Sequence, residues 1–205
     1  MDVPLSNTDI ERAVEGVEGF RGVFGYDLLP SLDHGAFCVV NTDNVLPLWD
    51  QQEGGHHWLT VCRDNDRVLV FDSFGRSLEH MEQDYTEPHL KRYFVEAYPD
   101  CEVVTNTQAL QDTSTAVYRR YAILVGLLFL QGSIDEVLEH LQRIFTNDTL
   151  GNDRRIVTGG GAWTDQLAEE LHKPRRVHFP RRKVDAKGID QIWSADLVDM
   201  QALAR

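Results

Sequence analysis

An apolar run of nine residues, AILVGLLFL at 122–130, most constrains how this chain can fold. The run is far shorter than the roughly 20 residues that a membrane-spanning helix needs. It therefore predicts a buried helix, which we place at 115–131, directly after a Ser/Thr-rich turn. A helix that is apolar on all sides belongs in the core of a globular domain, so the neighbouring segments are expected to pack around it.

Further segments predict a small sheet. AFCVVN at 36–41 is a short apolar run that is typical of a buried strand. HWLTVCR at 57–63 and RVLVFDS at 67–73 flank the turn sequence DND and predict an antiparallel hairpin. CEVVTN at 101–106 predicts another strand. FRGVFGYDLLPS at 20–31 is expected to be a loop, because glycine and proline interrupt it.

Helical spacing predicts three more helices around that sheet. A short one near the N-terminus begins after Ser6 or Thr8, and another covers 87–98. The third covers 133–145 and has Ser133 as its N-cap. Residues 147–162 are rich in Gly, Asn, Asp and Thr, so we expect a linker there.

The three cysteines, Cys38, Cys62 and Cys101, are too few and too scattered for a disulfide framework or a zinc site. We therefore expect no metal and no cofactor. The N-terminal sequence lacks a basic segment followed by an apolar one, which argues against a secretory signal. These features favour an intracellular protein, cytoplasmic or nuclear, with no membrane partner.

Two residues of the hairpin suggest chemistry. GGHHWLTV places His57 at the start of one strand, and VLVFDSFG ends the partner strand with Asp72. A carboxylate in that position can accept the imidazole N–H, fix the tautomer and stabilise the charged ring. The alternative is a histidine satisfied by backbone groups and an aspartate that caps a turn.

Four segments in chain order resemble the adenovirus-type cysteine proteases, a family that includes the SUMO-deconjugating enzymes. They are FCVVNTDN, GGHHWLTV, VLVFDSFG and QDTSTAVY. The resemblance implies an α+β fold with a small mixed sheet flanked by helices, over residues 1–146. It assigns His57 as the base, Asp72 as its orienting acid, Gln111 as an oxyanion-hole donor and Trp58 as the neighbour of the histidine in the substrate cleft. GVFGYDLLP and FCVVNTDN are similar to the protease of Maverick or Polinton transposons.

The resemblance fails at the nucleophile. The family pattern has Cys-Gly at the start of the helix, where the helix dipole stabilises a thiolate, but this chain has Tyr118 and Arg119. A phenol is protonated at neutral pH and is a weak nucleophile for acyl transfer, and both side chains are expected to obstruct the cleft. Cys38 and Cys62 lie in predicted strands, and nothing in the sequence supports Ser114 as a substitute.

We therefore expect a peptidase fold with little or no peptidase activity. One alternative is a non-catalytic module that binds a peptide or a ubiquitin-like protein in the same cleft. In either case the expected partner is a protein or a peptide that resembles a substrate.

Charge and a second resemblance set the C-terminal region apart. The formal net charge is −13, of which residues 151–205 contribute +2. The acidic remainder is a poor ligand for nucleic-acid backbones, whereas KPRRVHFPRRK at 173–183 has six cations and no acid. The cations predicted to contact DNA weakly are Arg175, Arg176, Arg181, Arg182 and Lys183. A solvated basic linker or a nuclear-import signal would have the same composition.

Residues 163–205 resemble the segment that leads into the catalytic core of retroviral-type integrases. The resemblance assigns Asp196 as the first of three metal-binding carboxylates, and the other two are not in this sequence. We therefore expect an incomplete metal site and a loosely packed tail. Two truncated units in one chain would also fit a mobile-element fragment without a selected function.

Overall fold

The computed structural model describes residues 7–42, 57–84 and 90–158 of this chain. Contacts divide the chain into two units, Met1–Lys173 and Pro174–Arg205, and every described residue belongs to the first. The strands are β1 (Phe20–Gly25), β2 (Ala36–Asn41), β3 (Trp58–Asp64), β4 (Arg67–Phe71) and β5 (Glu102–Thr105). The helices are α1 (Asn7–Ala13), α2 (Leu78–Asp84), α3 (Leu90–Ala97), α4 (Tyr118–Phe129), α5 (Ile134–Ile144) and α6 (Thr149–Thr158).

The five strands form one mixed sheet whose spatial order, β1 to β5, is also their order along the chain. The β2–β3 and β3–β4 pairs are antiparallel, while the outer pairs β1–β2 and β4–β5 are parallel. The predicted hairpin is confirmed, and Asn65 in its turn has a positive φ of 38°, which asparagine tolerates better than most residues. The predicted α+β class is confirmed as well.

Strand β1 corrects the expectation of a loop at 20–31. Glycine suggested a loop there, but Gly22, with φ of 119°, lies where the parallel register with β2 shifts between Phe20 and Val23. A glycine in a strand often marks such an irregularity instead of ending the strand. Tyr26–Leu28 then forms a single 3-10 turn.

Helix α4 packs across one face of the sheet, as the apolar run predicts. Nine of its residues are buried, and the Thr60 hydroxyl of β3 donates a hydrogen bond to the Ala122 carbonyl over 2.8 Å. Gly126 permits this close approach, because a Cβ at that position would collide with the ring of Phe37 in β2. The observed helix is shorter at both ends than the predicted 115–131.

Two apolar clusters cover the two faces of the sheet. One contains Phe37, Val39 and the buried side chains of α1, α4, α5 and α6. The other contains Cys38, Val40 and the buried side chains of α2 and α3. This alternation follows from the strand geometry, which points successive side chains to opposite faces. No described helix is long and apolar enough to cross a membrane.

The cap of α5 is confirmed. The linker expected at 147–162 is wrong as far as residue 158, and 159–162 lie outside the described residues. Ser133 accepts a hydrogen bond from the Glu136 backbone and forms a capping box with it. Residues Thr149–Thr158 form α6, in which Asn152 and Asp153 are buried. The polar residues that suggested a linker are hydrogen-bonded inside the domain instead: the Asn152 amide donates to the carbonyls of Leu110 (3.1 Å) and Thr146 (2.7 Å).

The expectations for the C-terminal region lie outside the described residues. They include the integrase-like segment at 163–205 with Asp196, and the five basic residues between 175 and 183.

The packing of α6 can be tested at Ile156, whose side chain is 1% exposed. We expect Ile156→Ala to lower the free energy of unfolding by about 2–5 kcal/mol, because it leaves a cavity in the core. Leu150→Ala on the same helix is the matched control, since Leu150 is 41% exposed and its change should stay within about 0.5 kcal/mol. Urea denaturation measures both, and equal effects would contradict a packed α6.

Candidate functional site

His57 and Asp72 meet at one end of the hairpin. His57 directly precedes β3, and Asp72 directly follows β4, so the antiparallel register brings the two side chains together. The distance from His57 Nε2 to Asp72 Oδ1 is 2.5 Å. Both side chains are excluded from solvent, with exposures of 1% and 0%. The two residues that the sequence singled out therefore form a buried, hydrogen-bonded pair.

Asp72 is the most heavily hydrogen-bonded carboxylate of the site. Arg76 donates to Oδ2 from Nε over 2.7 Å and from its backbone N–H over 3.2 Å. The backbone N–H of Phe74 donates to Oδ1 over 3.1 Å. With His57 on Oδ1 as well, both carboxylate oxygens have at least two donors, which favours the ionised form.

Asn106 fixes the backbone of Asp72 from the neighbouring strand. The Asp72 N–H donates to Asn106 Oδ1 over 2.8 Å, and Asn106 Nδ2 donates to the Asp72 carbonyl over 2.7 Å. Asn106 follows the end of β5, which runs parallel to β4. One amide side chain thus satisfies both backbone groups of the residue that orients His57.

His57 and Asp72 have different charge states at neutral pH. Burial alone would raise the pKa of Asp72, but the hydrogen bonds and charges of His57 and Arg76 outweigh it and lower the pKa to about 2. Burial lowers the pKa of His57, and its contacts with Asp72 offset this only in part. A buried imidazole close to the Arg76 cation is therefore neutral at pH 7. Since an ionised carboxylate only accepts hydrogen bonds, Nε2 carries the proton, and Nδ1 is the basic nitrogen.

Aromatic rings enclose the histidine. The Phe74 ring stacks on the His57 ring with a centroid separation of 4.8 Å and an interplanar angle of 20°. Tyr118 meets the His57 ring edge-on, at 5.2 Å and 64°. Tyr118 is the first residue of α4, so a phenol ring at the start of a buried helix lies beside His57.

Arg119 is buried next to the site. It is 2% exposed, and its guanidinium lies over the rings of Trp58 (5.2 Å) and Tyr118 (5.5 Å). Within the described part of the chain, none of its three guanidinium nitrogens has a hydrogen-bond partner. Burial lowers the pKa of Arg119, and the two aromatic faces compensate part of the lost hydration through cation–π contacts.

Gln111 lies in the site, but its amide nitrogen is directed at Thr115. The Ser73 hydroxyl donates to Gln111 Oε1 over 2.6 Å. Gln111 Nε2 donates to the Thr115 carbonyl over 2.9 Å and lies 3.3 Å from the Thr115 hydroxyl. An oxyanion-hole donor has to point at the reacting oxygen, so this orientation does not serve that role.

The structure provides no substitute nucleophile among the residues considered. Cys38 and Cys62 are fully buried in strands, and burial raises the pKa of both thiols, which makes them unreactive. The Ser114 hydroxyl is exposed and donates to Asp112 Oδ1 over 2.6 Å. The Thr115 hydroxyl lies 2.6 Å from Asp153 Oδ2. Across 7–42, 57–84 and 90–158, no group of His, Cys, Asp and Glu residues could hold a metal ion.

Sequence reasoning missed Asn106 and Arg76. A polar residue at the end of a predicted strand was the available signal for Asn106. Arg76 lies four residues after Asp72, and its interaction depends on a tight turn, closed by the Gly75 N–H donating to the Asp72 carbonyl over 2.9 Å. Neither signal indicates a role without knowledge of which strands are neighbours.

No protein-family model matches the chain, and no curated protein matches it either. A neutral imidazole oriented by a buried carboxylate is a suitable general base, and the group placed beside it is a phenol at the start of a helix.

The charge states of the pair predict a pH dependence of stability. The folded state disfavours protonation of His57, whose ordinary pKa is 6.5. The unfolded chain therefore binds more protons, and the free energy of unfolding should fall as pH drops below about 6.5. Asp72 adds a second loss at lower pH, because its stabilisation is complete above about pH 4 and disappears as pH falls towards its folded pKa of about 2.

Urea denaturation at a series of pH values measures this dependence. We expect His57→Gln, which keeps a donor for Asp72, to reduce the slope between about pH 7 and pH 5. Gln142→Asn on α5 changes no titratable group, so it is the control and should keep the wild-type slope. An unchanged slope in His57→Gln would show that His57 is not responsible.

Proposed function

We propose that this chain has the fold of the adenovirus-type cysteine peptidases, in the form encoded by Maverick or Polinton transposons, and that it does not hydrolyse peptide bonds. The observation that carries the proposal is the contact between His57 and Tyr118. A buried His–Asp pair lies beside the first residue of a buried helix, as cysteine-peptidase chemistry requires, but that residue has a phenol instead of a thiol.

Three features argue against turnover. The Tyr118 ring lies against His57, where a thiol nucleophile would have to lie in order to give its proton to the base. Arg119 fills the region over Trp58 where the family pattern has a glycine with no side chain. The Gln111 amide is engaged by Thr115 and does not offer a hydrogen bond to an oxyanion. A nucleophile, access to it and charge stabilisation are thus all lost together.

The proposed partner is an extended peptide or a ubiquitin-like protein, held without cleavage. Loss of the nucleophile blocks acyl transfer but does not by itself prevent a chain from binding next to Tyr118 and Arg119. A binding titration with such a peptide or protein tests this proposal, and we expect saturable binding without cleavage products.

Turnover of fluorogenic peptide and ubiquitin-like substrates tests the lack of activity. We expect the wild-type chain to release fluorophore no faster than His57→Ala, because loss of a nucleophile typically costs several orders of magnitude in rate. A rate clearly above that of the His57→Ala variant would refute the proposal.

A thiol introduced at position 118 tests whether the surroundings of this position activate a nucleophile. In the double variant Tyr118→Cys, Arg119→Gly, the new thiol lies at a helix start beside His57. Such settings lower a thiol pKa from ~8.5 to about 3.5–7.5. We expect iodoacetamide to alkylate it at neutral pH roughly tenfold faster than the partly exposed native Cys101. Mass spectrometry distinguishes the two sites.

The matched control carries the same two changes together with His57→Ala. Without the imidazole, the thiol should react several-fold more slowly at neutral pH and recover at alkaline pH. Equal alkylation rates with and without His57 would mean that position 118 is not poised for nucleophilic chemistry.

A further inference from the structure

Helix α6 holds the loop that brings Gln111 to the candidate site. The Thr149 hydroxyl donates a hydrogen bond to Asp112 Oδ2 over 3.2 Å. The backbone N–H of Asp112 donates to Asp153 Oδ2 over 3.0 Å. Since Asp112 directly follows Gln111 in the chain, two residues of α6 hold the position next to that side chain.

Asp153 is the most deeply buried acid of this contact, with an exposure of 3%. The Tyr121 hydroxyl donates to Oδ1 over 3.0 Å, and the Thr115 hydroxyl lies 2.6 Å from Oδ2. Burial and the neighbouring carboxylate raise the pKa of Tyr121, so the phenol keeps its proton and remains a donor. A buried carboxylate is tolerated where donors reach both of its oxygens. The side chain of Asp153 is therefore held in one orientation.

The Thr115 hydroxyl connects Asp153 to Gln111. A hydroxyl has one proton to donate and two lone pairs with which it can accept. Two acceptors lie within reach of that proton, Asp153 Oδ2 at 2.6 Å and the Asp112 carbonyl at 3.0 Å. The carboxylate is the closer and the stronger acceptor, so the proton points at Asp153. The lone pairs of the hydroxyl oxygen then accept from Gln111 Nε2 over 3.3 Å.

Both N–H groups of the Gln111 amide are thus engaged by one residue. Nε2 donates to the Thr115 carbonyl over 2.9 Å, and its second N–H is directed at the Thr115 hydroxyl oxygen. The Ser73 hydroxyl donates to Oε1 over 2.6 Å. The opposite orientation of the amide would bring Oε1 against the Thr115 carbonyl, and two acceptors form no hydrogen bond. Gln111 therefore has no N–H left for a reacting oxygen.

We propose that Asp153 is a positioning residue of the candidate site, which orients the Thr115 hydroxyl so that both N–H groups of Gln111 stay on Thr115. The inference rests on the proposed function, because it attributes the missing oxyanion-hole donor to a contact from α6. Helix α6 begins after residue 146, where the resemblance to the peptidases ends, so the family pattern does not predict this contact. Without the Asp153 carboxylate, the Thr115 proton turns to another acceptor and one N–H of Gln111 is released.

Nuclear magnetic resonance of the full chain tests the proposal through the two side-chain amide protons of Gln111. Their signals are the pair that disappears in Gln111→Glu. We expect Asp153→Ala to accelerate the exchange of one of these protons with water by roughly twofold to tenfold, the range that corresponds to the loss of one hydrogen bond. An unchanged exchange rate in a folded Asp153→Ala variant would overturn the proposal.

Thr149→Val is the matched control on the same helix. It removes another hydrogen bond between α6 and the loop but leaves the contact of Asp153 with Thr115 intact. We expect the Gln111 protons to exchange at the wild-type rate in this variant. Equal acceleration in Thr149→Val and Asp153→Ala would show that general loosening of α6 is responsible, which contradicts a specific role for Asp153.

Thr115→Val provides the decision if Asp153→Ala does not fold. Valine has the shape of threonine without its hydroxyl, so one Gln111 proton should again exchange faster. Thr115→Ser keeps the hydroxyl and should restore the wild-type rate. Wild-type exchange in Thr115→Val would show that the hydroxyl does not hold Gln111.

A double variant separates action through Thr115 from an independent structural effect. Because Asp153 acts through Thr115, adding Asp153→Ala to Thr115→Val should cause no further acceleration, whereas independent effects would add. Additive effects would refute the proposal. These measurements use no substrate, so they succeed or fail separately from the peptide-turnover assay that tests the proposed function.

Discussion

The carboxylate of Asp72 is the contact on which the rest of the site depends. It joins the end of β4 to the start of β3 through His57, and to the following turn through Phe74 and Arg76. The Asn106 side chain, just after β5, holds the backbone of the same residue. A buried charge is tolerated only when it is paired and fully hydrogen-bonded. These donors come from separate segments, so the carboxylate holds them in one geometry. The orientation of His57 is a consequence of that network.

Local patterns predicted most of the sheet and failed where tertiary contacts override them. β2, the hairpin and β5 combine β-branched residues with clear turn signals, and the Ser133 capping box is a purely local motif. Strand β1 was missed because Gly22 accommodates a register shift that only its pairing with β2 reveals. Helix α6 was missed because Asn152 and Asp153 favour turns in isolation. Inside the domain they bond to Leu110 and Tyr121.

The sequence identified the residues of the candidate site, but it did not determine what each of them does. His57, Asp72, Gln111, Tyr118 and Arg119 all lie where α4 meets the end of the hairpin. Their functional states depend on details that a sequence does not encode locally. The Ser73 hydroxyl donates to the amide oxygen of Gln111, and this contact leaves the amide nitrogen directed at Thr115. Arg119, expected to obstruct a cleft, proves to be a buried cation without an acceptor among the described residues.

The agreement between strand order and chain order has a consequence for the route of folding. Every strand pairs with its nearest neighbours in sequence, but only the β3–β4 pair closes a tight turn, which favours rapid formation of that hairpin. His57 and Asp72 are separated by the central hairpin alone and come together as soon as it forms. Tyr118 and Arg119 arrive only when α4 docks, about 60 residues later in the sequence. The His57–Asp72 contact therefore depends on the hairpin alone, whereas the contacts of Tyr118 and Arg119 with His57 and Trp58 also require the docking of α4.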